Sequence, residues 1–428
     1  MDLRGDALNA KSLLVGFGES PYASTSNGGW SETPFQRWIK FKEAYSQRFV
    51  RDALALSKFT PTHCIDPFGG SGTTSLVCSQ QGIRSTSIEV NPFLADVISA
   101  KTNPSDRKTL LRNFERVRAT LSQVQLQPLD RTFREAPKTL FEPGLNGRFI
   151  YTKAVGVRIL TYLAAIEQLR DGKAKRTLKV LLGGILVSVS NIVVNGKGRR
   201  YRSNWQARST TAVDVDRLFE AAVMQCAADL DEIANSALSP TTLLRGDCRS
   251  LIHKCSIGDI SIFSPPYPNS FDYTDVYNLE LWTLGYLKSR NQNLSLRRAT
   301  LRSHVQATFE YSRVTRTPQL TKTLKKLERA REHLWDRRIP EMVQGYFDDL
   351  HLVLSGLTRR LARRSLIVMA VGDSRYAGIN VRTAEVLGEM AETMGLHVVS
   401  ADRIRQIRAS AQHGGDRELA ETRVVLRT

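Results

Sequence analysis

The stretch from residue 63 to residue 89, HCIDPFGGSGTTSLVCSQQGIRSTSIE, decides which fold the chain adopts. Its short apolar beginning predicts a strand that ends at Asp66, and a glycine-rich segment then leads into a helix that Gly82 closes. A second apolar run predicts a strand that stops at Glu89. A strand, a glycine-rich loop, a helix and a further strand form the opening unit of a doubly wound α/β sheet.

The glycine-rich loop between the first strand and its helix is suited to binding a nucleoside. Glycines let backbone N–H groups approach a ligand closely, and the helix N-terminus adds positive potential. Glu89 ends the next strand, where ribose hydroxyls are bound in Rossmann-like sheets. The loop lacks the Gly-Lys-Ser/Thr of a P-loop and the spacing Gly-x-Gly-x-x-Gly. The pattern therefore favours a nucleoside with an uncharged tail over a phosphate-bearing ligand.

A second motif, Ser264-Pro265-Pro266-Tyr267, follows the apolar strand of residues 260–263. A strand that ends in two prolines cannot continue its ladder, because neither nitrogen carries a proton. The Ser264 hydroxyl and the Pro265 carbonyl can each accept an N–H proton of an aromatic amine, which leaves the nitrogen lone pair available for attack. Taken alone, the tetrapeptide is equally compatible with a proline-rich turn.

The two motifs occur together, and the pair resembles the signature of DNA methyltransferases that modify exocyclic amines. The stretch Asp66-Pro67-Phe68-Gly69-Gly70-Ser71-Gly72-Thr73-Thr74 is similar to that family's binding motif for S-adenosylmethionine (AdoMet). The resemblance implies an α/β fold with a Rossmann-like, AdoMet-dependent methyltransferase sheet and helical insertions. It implies cofactor-binding roles for these residues: Asp66, Phe68, Gly69, Gly70, Gly72, Thr73, Glu89 and Asp247.

Within that resemblance each part of the site has a role. Asp66 and the loop would hold the methionine portion of AdoMet, Glu89 the ribose, and Asp247 the adenine amine. Lys42 and its neighbours loosely match the family's variable N-terminal motif. Ser264, Pro265, Pro266 and Tyr267 would be catalytic, with Tyr267 stacking on a base flipped out of the duplex.

The first residue of the catalytic motif bears on which base is modified. Relatives with serine at the position of Ser264 usually methylate cytosine N4, whereas aspartate or asparagine usually marks adenine N6. We therefore expect cytosine N4, with adenine N6 as the alternative. Methylation at C5 is not expected, because it requires a cysteine nucleophile and no Pro-Cys pair follows the matching strand.

The charge of the chain indicates a polyanionic partner. Its 428 residues carry a formal net charge of +19, and such an excess favours double-stranded DNA. Five scattered cysteines without a Cys-x-x-Cys pair suit free thiols in a reducing compartment. No apolar run resembles a signal peptide or a membrane span. We expect a cytoplasmic protein with no membrane partner and no metal.

Two parts of the chain depart from the α/β pattern and are the candidates for target recognition. The expected division is as follows: 1–104, an N-terminal arm and the AdoMet-binding half of the core; 105–240, a mainly helical insertion; 241–287, the catalytic half of the core; 288–338, a basic insertion; and 339–428, the remainder of the core. Substrate contacts are expected from Tyr273 and from Lys197, Arg199 and Arg200 in a predicted basic loop over residues 191–202. A solvated basic surface is the alternative for both insertions.

Further expectations concern elements and partners. Residues 35–56 predict one amphipathic helix, residues 154–169 and 213–233 predict two more, and the last two strand patterns predict a terminal hairpin.

Modification within a restriction system is the family's common setting, so we expect a cognate restriction endonuclease as a partner. The alternatives are an RNA amino-methyltransferase and a non-catalytic DNA-binding relative.

Overall fold

The computed structural model describes residues 31, 33–41, 45–195, 198–233, 238–306, 314–407 and 419–428. Its strands are β1 (His63–Asp66), β2 (Arg84–Glu89), β3 (Ile192–Asn195), β4 (Gly198–Tyr201), β5 (Thr241–Arg245), β6 (Gly258–Phe263), β7 (Leu361–Gly372), β8 (Ser374–Tyr376), β9 (Ile379–Val381), β10 (His397–Ile407) and β11 (Leu419–Arg427). Its helices are α1 (Gln47–Ala55), α2 (Thr73–Gln80), α3 (Pro92–Thr102), α4 (Arg107–Thr120), α5 (Leu129–Thr132), α6 (Lys153–Glu167), α7 (Gly172–Ile185), α8 (Ala212–Glu232), α9 (Cys248–Leu251), α10 (Tyr273–Val276), α11 (Asn278–Thr283), α12 (Arg290–Ala299), α13 (Pro318–Arg329), α14 (Ile339–Thr358) and α15 (Thr383–Thr393).

Seven of these strands form one sheet in the order β10-β11-β7-β6-β1-β2-β5. The five strands from β5 to β7 are parallel, and β11 runs antiparallel to both of its neighbours. The chain moves outward from β1 to β2 and β5, and then returns to β6 on the other side of β1. This reversal creates a crevice at the carboxyl ends of β1 and β6, where ligands bind in open α/β sheets. The expected Rossmann-like α/β fold is confirmed, and so is the terminal hairpin of β10 and β11.

Helices cover both faces of the sheet. Helices α1 and α2 pack on one face, where Cys64 and Val368 belong to their apolar cluster. Helices α13, α14 and α15 pack on the other face, against Ile65 and Ile367. The two clusters take alternate residues of β1 and β7, as expected for strands buried on both sides.

A third group of helices, α4, α6, α7 and α8, lies against α3 at the end of the sheet that carries β5. These helices share a single apolar cluster with α3 and α11, so the segment 105–240 packs directly on the core. The contact is close, since a Cβ on Gly183 of α7 would come within 2.6 Å of the Phe93 ring. The helices predicted at residues 154–169 and 213–233 are confirmed as α6 and α8.

The prediction of one helix over residues 35–56 was wrong. Gln36–Trp38 form a single 3-10 turn, and the α-helix begins only at Gln47. Tertiary contacts explain the break, because the buried carboxylate of Asp229 in α8 accepts hydrogen bonds from Phe35 N at 2.8 Å and from Trp38 Nε1 at 2.7 Å. These bonds hold the turn against α8, and they outweigh the local preference for a continuous helix.

The predicted basic loop at residues 191–202 was also wrong in its secondary structure. Ile192–Asn195 and Gly198–Tyr201 pair as the antiparallel strands β3 and β4. Ile192, Val194 and Tyr201 of this hairpin pack on the helical apolar cluster, whereas Arg200 is exposed. A separate observation concerns membranes: among the residues with assigned positions, we find no helix with the length and apolarity that crossing a bilayer requires.

Candidate active site

A cavity opens at the carboxyl ends of the parallel strands and brings the two sequence motifs together. Its walls contain residues 67–71 after β1, Glu89 to Asn91 after β2, and Ser264 to Tyr267 after β6. Gly246 after β5 also lines it. These segments meet because parallel strands present their carboxyl ends at one edge of the sheet.

The glycine-rich loop is packed so tightly that side chains are excluded at two positions. A Cβ on Gly69 would lie 2.2 Å from Ser87 Oγ. Gly70 has a φ of +51°, and it lies against the ring of Phe41. Gly72 caps α2 with a φ of +81° and contacts Ile98 rather than the cavity. Gly69 and Gly70 therefore expose backbone to the cavity, whereas Gly72 has a structural position.

Glu89 is fixed by the loop that it faces. Its Oε2 accepts a hydrogen bond from Gly70 N at 2.6 Å, and its Oε1 accepts one from Asn91 N at 2.7 Å. Burial raises the pKa of Glu89 to about 7, although these two N–H groups oppose the shift. Each oxygen retains a lone pair, so the carboxylate can still accept hydroxyl groups from the cavity. Asn91 itself is the N-cap of α3, a position that the sequence Asn-Pro signals.

Asp66 lies beneath the loop rather than on the cavity wall. The side chain is completely buried, and its Oδ1 accepts a hydrogen bond from Phe68 N at 2.9 Å. Burial raises the pKa of Asp66 to about 7. The carboxylate thus shapes the turn from β1 into the loop, and Phe68 and Thr73 are the neighbouring residues that line the cavity.

Asp247, which was predicted to bind the adenine amine, lies in the turn between β5 and α9. Gly246 and Cys248 line the cavity, whereas Asp247 between them does not. Its two carboxylate oxygens both accept hydrogen bonds from the Arg249 guanidinium, at 2.7 to 3.0 Å, and its Oδ1 also caps α9. The guanidinium engages the carboxylate because both belong to one tight turn, a contact that strand-end spacing does not reveal.

Ser264 is oriented by the neighbouring strand. Its hydroxyl donates a hydrogen bond of 2.7 Å to the carbonyl oxygen of Ala370 in β7. A hydroxyl has one proton and two lone pairs, so the Ser264 oxygen that donates to Ala370 remains an acceptor for a further group. Both prolines of the motif, Pro265 and Pro266, line the cavity beside it.

Tyr267 is held at its ring and at its hydroxyl. A Cβ on Gly372, at the end of β7, would lie 2.4 Å from Cδ2 and Cε2 of the ring, so the ring packs directly on the glycine backbone. The hydroxyl donates to Glu421 of β11, which also pairs with Arg405 of β10. Burial and the Glu421 carboxylate raise the pKa of Tyr267 well above its ordinary value, so the phenol stays protonated.

Glu421 and Arg405 line the cavity, and sequence reasoning missed both. Glu421 is an acid within a strand whose neighbouring residues are buried, a signal that only the structure reveals. Glu421 itself is only 4% exposed. Buried acids in strands usually have a specific partner.

The aromatic residues after the catalytic motif divide between cavity and core. Tyr273 and Tyr277 line the cavity, and the hydroxyl of Tyr273 accepts from Tyr267 N at 3.4 Å. Tyr277 stacks on Phe41 with ring centroids 5.5 Å apart. Trp282 is 3% exposed within the helical cluster, as is typical of a core residue.

One wall of the cavity comes from the segment that the sequence analysis placed in the basic insertion. Ala299 to Leu301, Ser303 and His304 line it. The buried Arg302 anchors this segment, because its backbone N and its guanidinium both donate to Asp349 of α14 at 2.8 to 3.1 Å. Arg249 bridges Asp349 and the carbonyl of Arg298. Part of the predicted DNA-contacting insertion therefore encloses the cavity.

Several other cations of residues 288–338 form ion pairs with carboxylates inside or outside the segment. The ion pairs join Arg297 to Asp272, Arg331 to Glu328 and Glu341, Arg337 to Glu332, and Arg338 to Asp336. Helix α13 exposes four cations that form no ion pair among the described residues: Lys322, Lys325, Lys326 and Arg329. Their spacing of three and four residues puts them on one helix face. Four exposed cations of the insertion therefore share one face of α13.

Arg199 and Arg200, which were predicted to contact the substrate, both lie on strand β4 of the hairpin. The Arg199 guanidinium pairs with Asp275 of α10 at 2.7 Å, next to the cavity residues Tyr273 and Thr274. Arg200 is exposed. Lys197, and likewise Lys42 of the N-terminal motif, lie outside the described residues.

Comparisons with known proteins bear on the identity of the chain. No family model matches it. Among solved structures, the rRNA methyltransferase aviRa of Streptomyces viridochromogenes aligns with a TM-score of 0.31 and 12% identity, over 99% of this chain and 94% of that one. The Type II methyltransferase M.BsoBI of Geobacillus stearothermophilus is 23% identical over 86% of this chain and 80% of its own length. The chain is likewise similar to the Type II methyltransferase M.AvaI of Nostoc sp., with 26% identity over 85% of this chain and 80% of the relative.

Proposed function

We propose that the chain is a site-specific DNA methyltransferase that transfers a methyl group from AdoMet to the exocyclic amine of a flipped base, with cytosine N4 as the preferred target. One observation carries the proposal. A single cavity joins the glycine-rich loop and Glu89 to Ser264–Tyr267, so a nucleoside cofactor and a base amine can be bound side by side. The similarity to two Type II methyltransferases over most of the chain supports the same activity.

The residues at the ends of β1 and β2 fit AdoMet. The loop has no side chain at Gly69, where a Cβ would collide with Ser87, or at Gly70, which has a positive φ. Glu89 retains acceptor capacity for ribose hydroxyls. The Ser71 hydroxyl is buried on the cavity wall and has no hydrogen-bond partner among the described residues. When bound, AdoMet supplies an electrophilic methyl group on its sulfonium sulfur.

Ser264 acts on the amine as a hydrogen-bond acceptor. Because its proton is already given to Ala370 O, the Ser264 oxygen presents lone pairs to an incoming N–H group. The carbonyl of Pro265 would accept the second amine proton. With both protons bound, less of the nitrogen lone pair is drawn into the ring, and the nitrogen becomes a better nucleophile. Tyr267, fixed on Gly372 and Glu421, provides the surface on which the base stacks.

Cytosine N4 is preferred over adenine N6 because serine occupies the first position of the motif. Methylation at cytosine C5 is disfavoured, because it requires a reactive cysteine thiolate. Cys248 is the cysteine on the cavity wall, and burial raises the pKa of its thiol well above the ordinary value, so it is a poor source of thiolate. Phosphate contacts are assigned to the exposed cations of α13, and a cognate restriction endonuclease is the expected partner in the cell.

A methyl-transfer assay tests this proposal. The purified protein is incubated with tritiated AdoMet and unmethylated genomic DNA, bulk tRNA or no acceptor, and the DNA is then digested and its nucleosides are separated. We expect label in DNA as N4-methylcytosine. Label in N6-methyladenine would refute the base assignment and keep the enzyme class. Label in tRNA alone, or none at all, would refute the DNA methyltransferase assignment.

A further inference from the structure

A second cleft lies between α13 and the hairpin of β8 and β9, outside the cavity of the candidate active site. It opens where α13 packs against β9 and α15. Most of its lining residues carry a hydrogen-bond donor in the side chain: Gln319, Lys322, Thr323, Lys326, Asn380 and Arg382. No carboxylate of the described residues lines the cleft. A wall of donors that includes three cations and no acid is suited to binding an anion.

The cations of the cleft come from two elements. Lys322 and Lys326 are exposed on α13 four residues apart, and neither forms an ion pair among the described residues. Arg382, directly before α15, is also exposed, and its Nη1 donates to Glu385 Oε1 at 2.8 Å. Like charges four residues apart on a helix repel each other. An anion bound between α13 and Arg382 would therefore stabilise the arrangement.

The hairpin presents Asn380 to the cleft in an orientation that suits an anion. Its Oδ1 accepts a hydrogen bond from Arg375 Nε at 2.7 Å, between the two residues that pair across β8 and β9. The bond orients the side-chain oxygen toward Arg375, so the amide nitrogen with its two protons is the group that remains for a ligand. The amide thus adds a neutral donor to the charged ones.

The same hairpin fixes the place of the cleft relative to the active site. It begins at Ser374, immediately beyond β7, whose last residue, Gly372, packs on the Tyr267 ring. The buried Tyr376 of β8 donates a hydrogen bond of 2.7 Å to the carbonyl oxygen of Pro268, the residue after Tyr267. The cleft therefore belongs to the edge of the sheet that carries the cavity. A duplex must lie along this edge for a flipped base to enter the cavity.

We propose that this cleft binds one backbone phosphate of the DNA near the target nucleotide, and that Lys326 and Arg382 hold that phosphate jointly. The proposal rests on the proposed DNA methyltransferase function, and it adds a defined phosphate site to the contacts assigned to α13. A phosphodiester has two unesterified oxygens, so an ammonium group and a guanidinium group on different walls can each donate to it. Asn380 supplies a neutral donor beside them.

A double-mutant cycle of DNA binding tests whether the two cations contact the same phosphate. Fluorescence titrations with a labelled, unmethylated duplex at several salt concentrations give the dissociation constants of the wild type, Lys326→Ala, Arg382→Ala and the double variant. We expect each single substitution to weaken binding about threefold to tenfold. The double variant should lose less affinity than the product of the two single effects. Its slope of log K against log salt should decrease by about 0.9, the value for one phosphate.

The matched control is the double variant Arg359→Ala and Arg363→Ala. Both arginines are exposed, and they lie at the end of α14 and the start of β7, at the opposite edge of the sheet. We expect this control to bind DNA with the affinity and salt slope of the wild type. All four substituted side chains are exposed, so the variants should fold normally.

Three results would overturn the proposal. A wild-type salt slope in the variant of Lys326 and Arg382 would show that the cleft does not contact DNA. An equal decrease in the control would show that only the overall charge matters. Single effects that multiply, with a decrease in slope of about 1.8, would indicate two separate phosphates. Methyl transfer to DNA by the wild type is measured alongside, and its absence would refute the proposed function whatever the binding cycle shows.

Discussion

Gly372→Ala is the most direct test of how the proposed stacking residue is held. The added Cβ would lie 2.4 Å from two carbons of the Tyr267 ring, whereas carbon atoms in contact are normally about 3.5 to 4.0 Å apart. The ring must therefore move by about 1 Å or more. Gly372 lies in the extended strand β7 and has no positive φ, so alanine fits its backbone without strain. The substitution consequently displaces the ring without distorting the strand.

The size of the effect follows from that displacement. A misplacement of about 1 Å at a reacting group can lower the rate of the chemical step about a hundredfold, which corresponds to about 2.7 kcal/mol. The cofactor end of the cavity is built from other strands, so affinity for S-adenosylhomocysteine should stay within about twofold of wild type.

The assay is single-turnover transfer of tritiated methyl groups to unmethylated genomic DNA, with calorimetry of S-adenosylhomocysteine binding alongside. Gly388→Ala in α15 is the matched control, because the nearest atom to its Cβ would be 4.0 Å away. We expect the control to transfer at the wild-type rate. A wild-type rate in Gly372→Ala would refute the contribution of ring position, and a parallel loss of cofactor affinity would show that the substitution disturbs more than Tyr267.

Three other predictions follow from the site and its surface. Glu89 accepts hydroxyl groups only as a carboxylate, and its pKa is raised to about 7, so affinity for S-adenosylhomocysteine should fall as the pH drops below 7. Glu89→Gln should bind this ligand weakly, and its affinity should depend less on pH. Calorimetry at several pH values measures both affinities. Ser264→Ala should slow single-turnover transfer about tenfold to a hundredfold with cofactor affinity unchanged; a wild-type rate would remove Ser264 from the mechanism. Replacing Lys322, Lys325 and Lys326 of α13 together with alanine should make the binding constant for DNA less dependent on salt. The slope of log K against log salt should decrease by about 0.9 for each phosphate that a lysine no longer neutralises. A fluorescence titration measures this slope, and an unchanged slope would indicate that α13 faces solvent without contacting DNA.

The motifs were predictable because their signals are local. An apolar strand followed by glycines, or by two prolines, marks a strand end from a few residues alone. The fold then determines which strand ends meet, because β1 pairs in parallel with both β2 and β6. This is why Glu89 and Ser264, which are far apart in sequence, border one cavity.

The remaining walls of the cavity were not predictable, because they depend on long-range packing. The segment that contains Leu301 reaches the cavity only because Arg302 is anchored on Asp349, a residue 47 positions later. Glu421 bonds to Tyr267 across 154 positions. The pairing of charges within residues 288–338 was not predictable for a similar reason, since a count of arginines does not tell which of them contact carboxylates after folding.

The hydrogen bonds of Asp229 have a consequence for protein engineering. Through the turn at residues 36–38, this carboxylate of α8 positions Gln36, whose amide contacts both Thr73 and Lys101 beneath the glycine-rich loop. A chimaera that exchanges residues 105–240 between related enzymes to alter DNA specificity would cut this connection. The N-terminal residues 33–41 must therefore come from the same parent as α8, even though they lie far outside the exchanged segment.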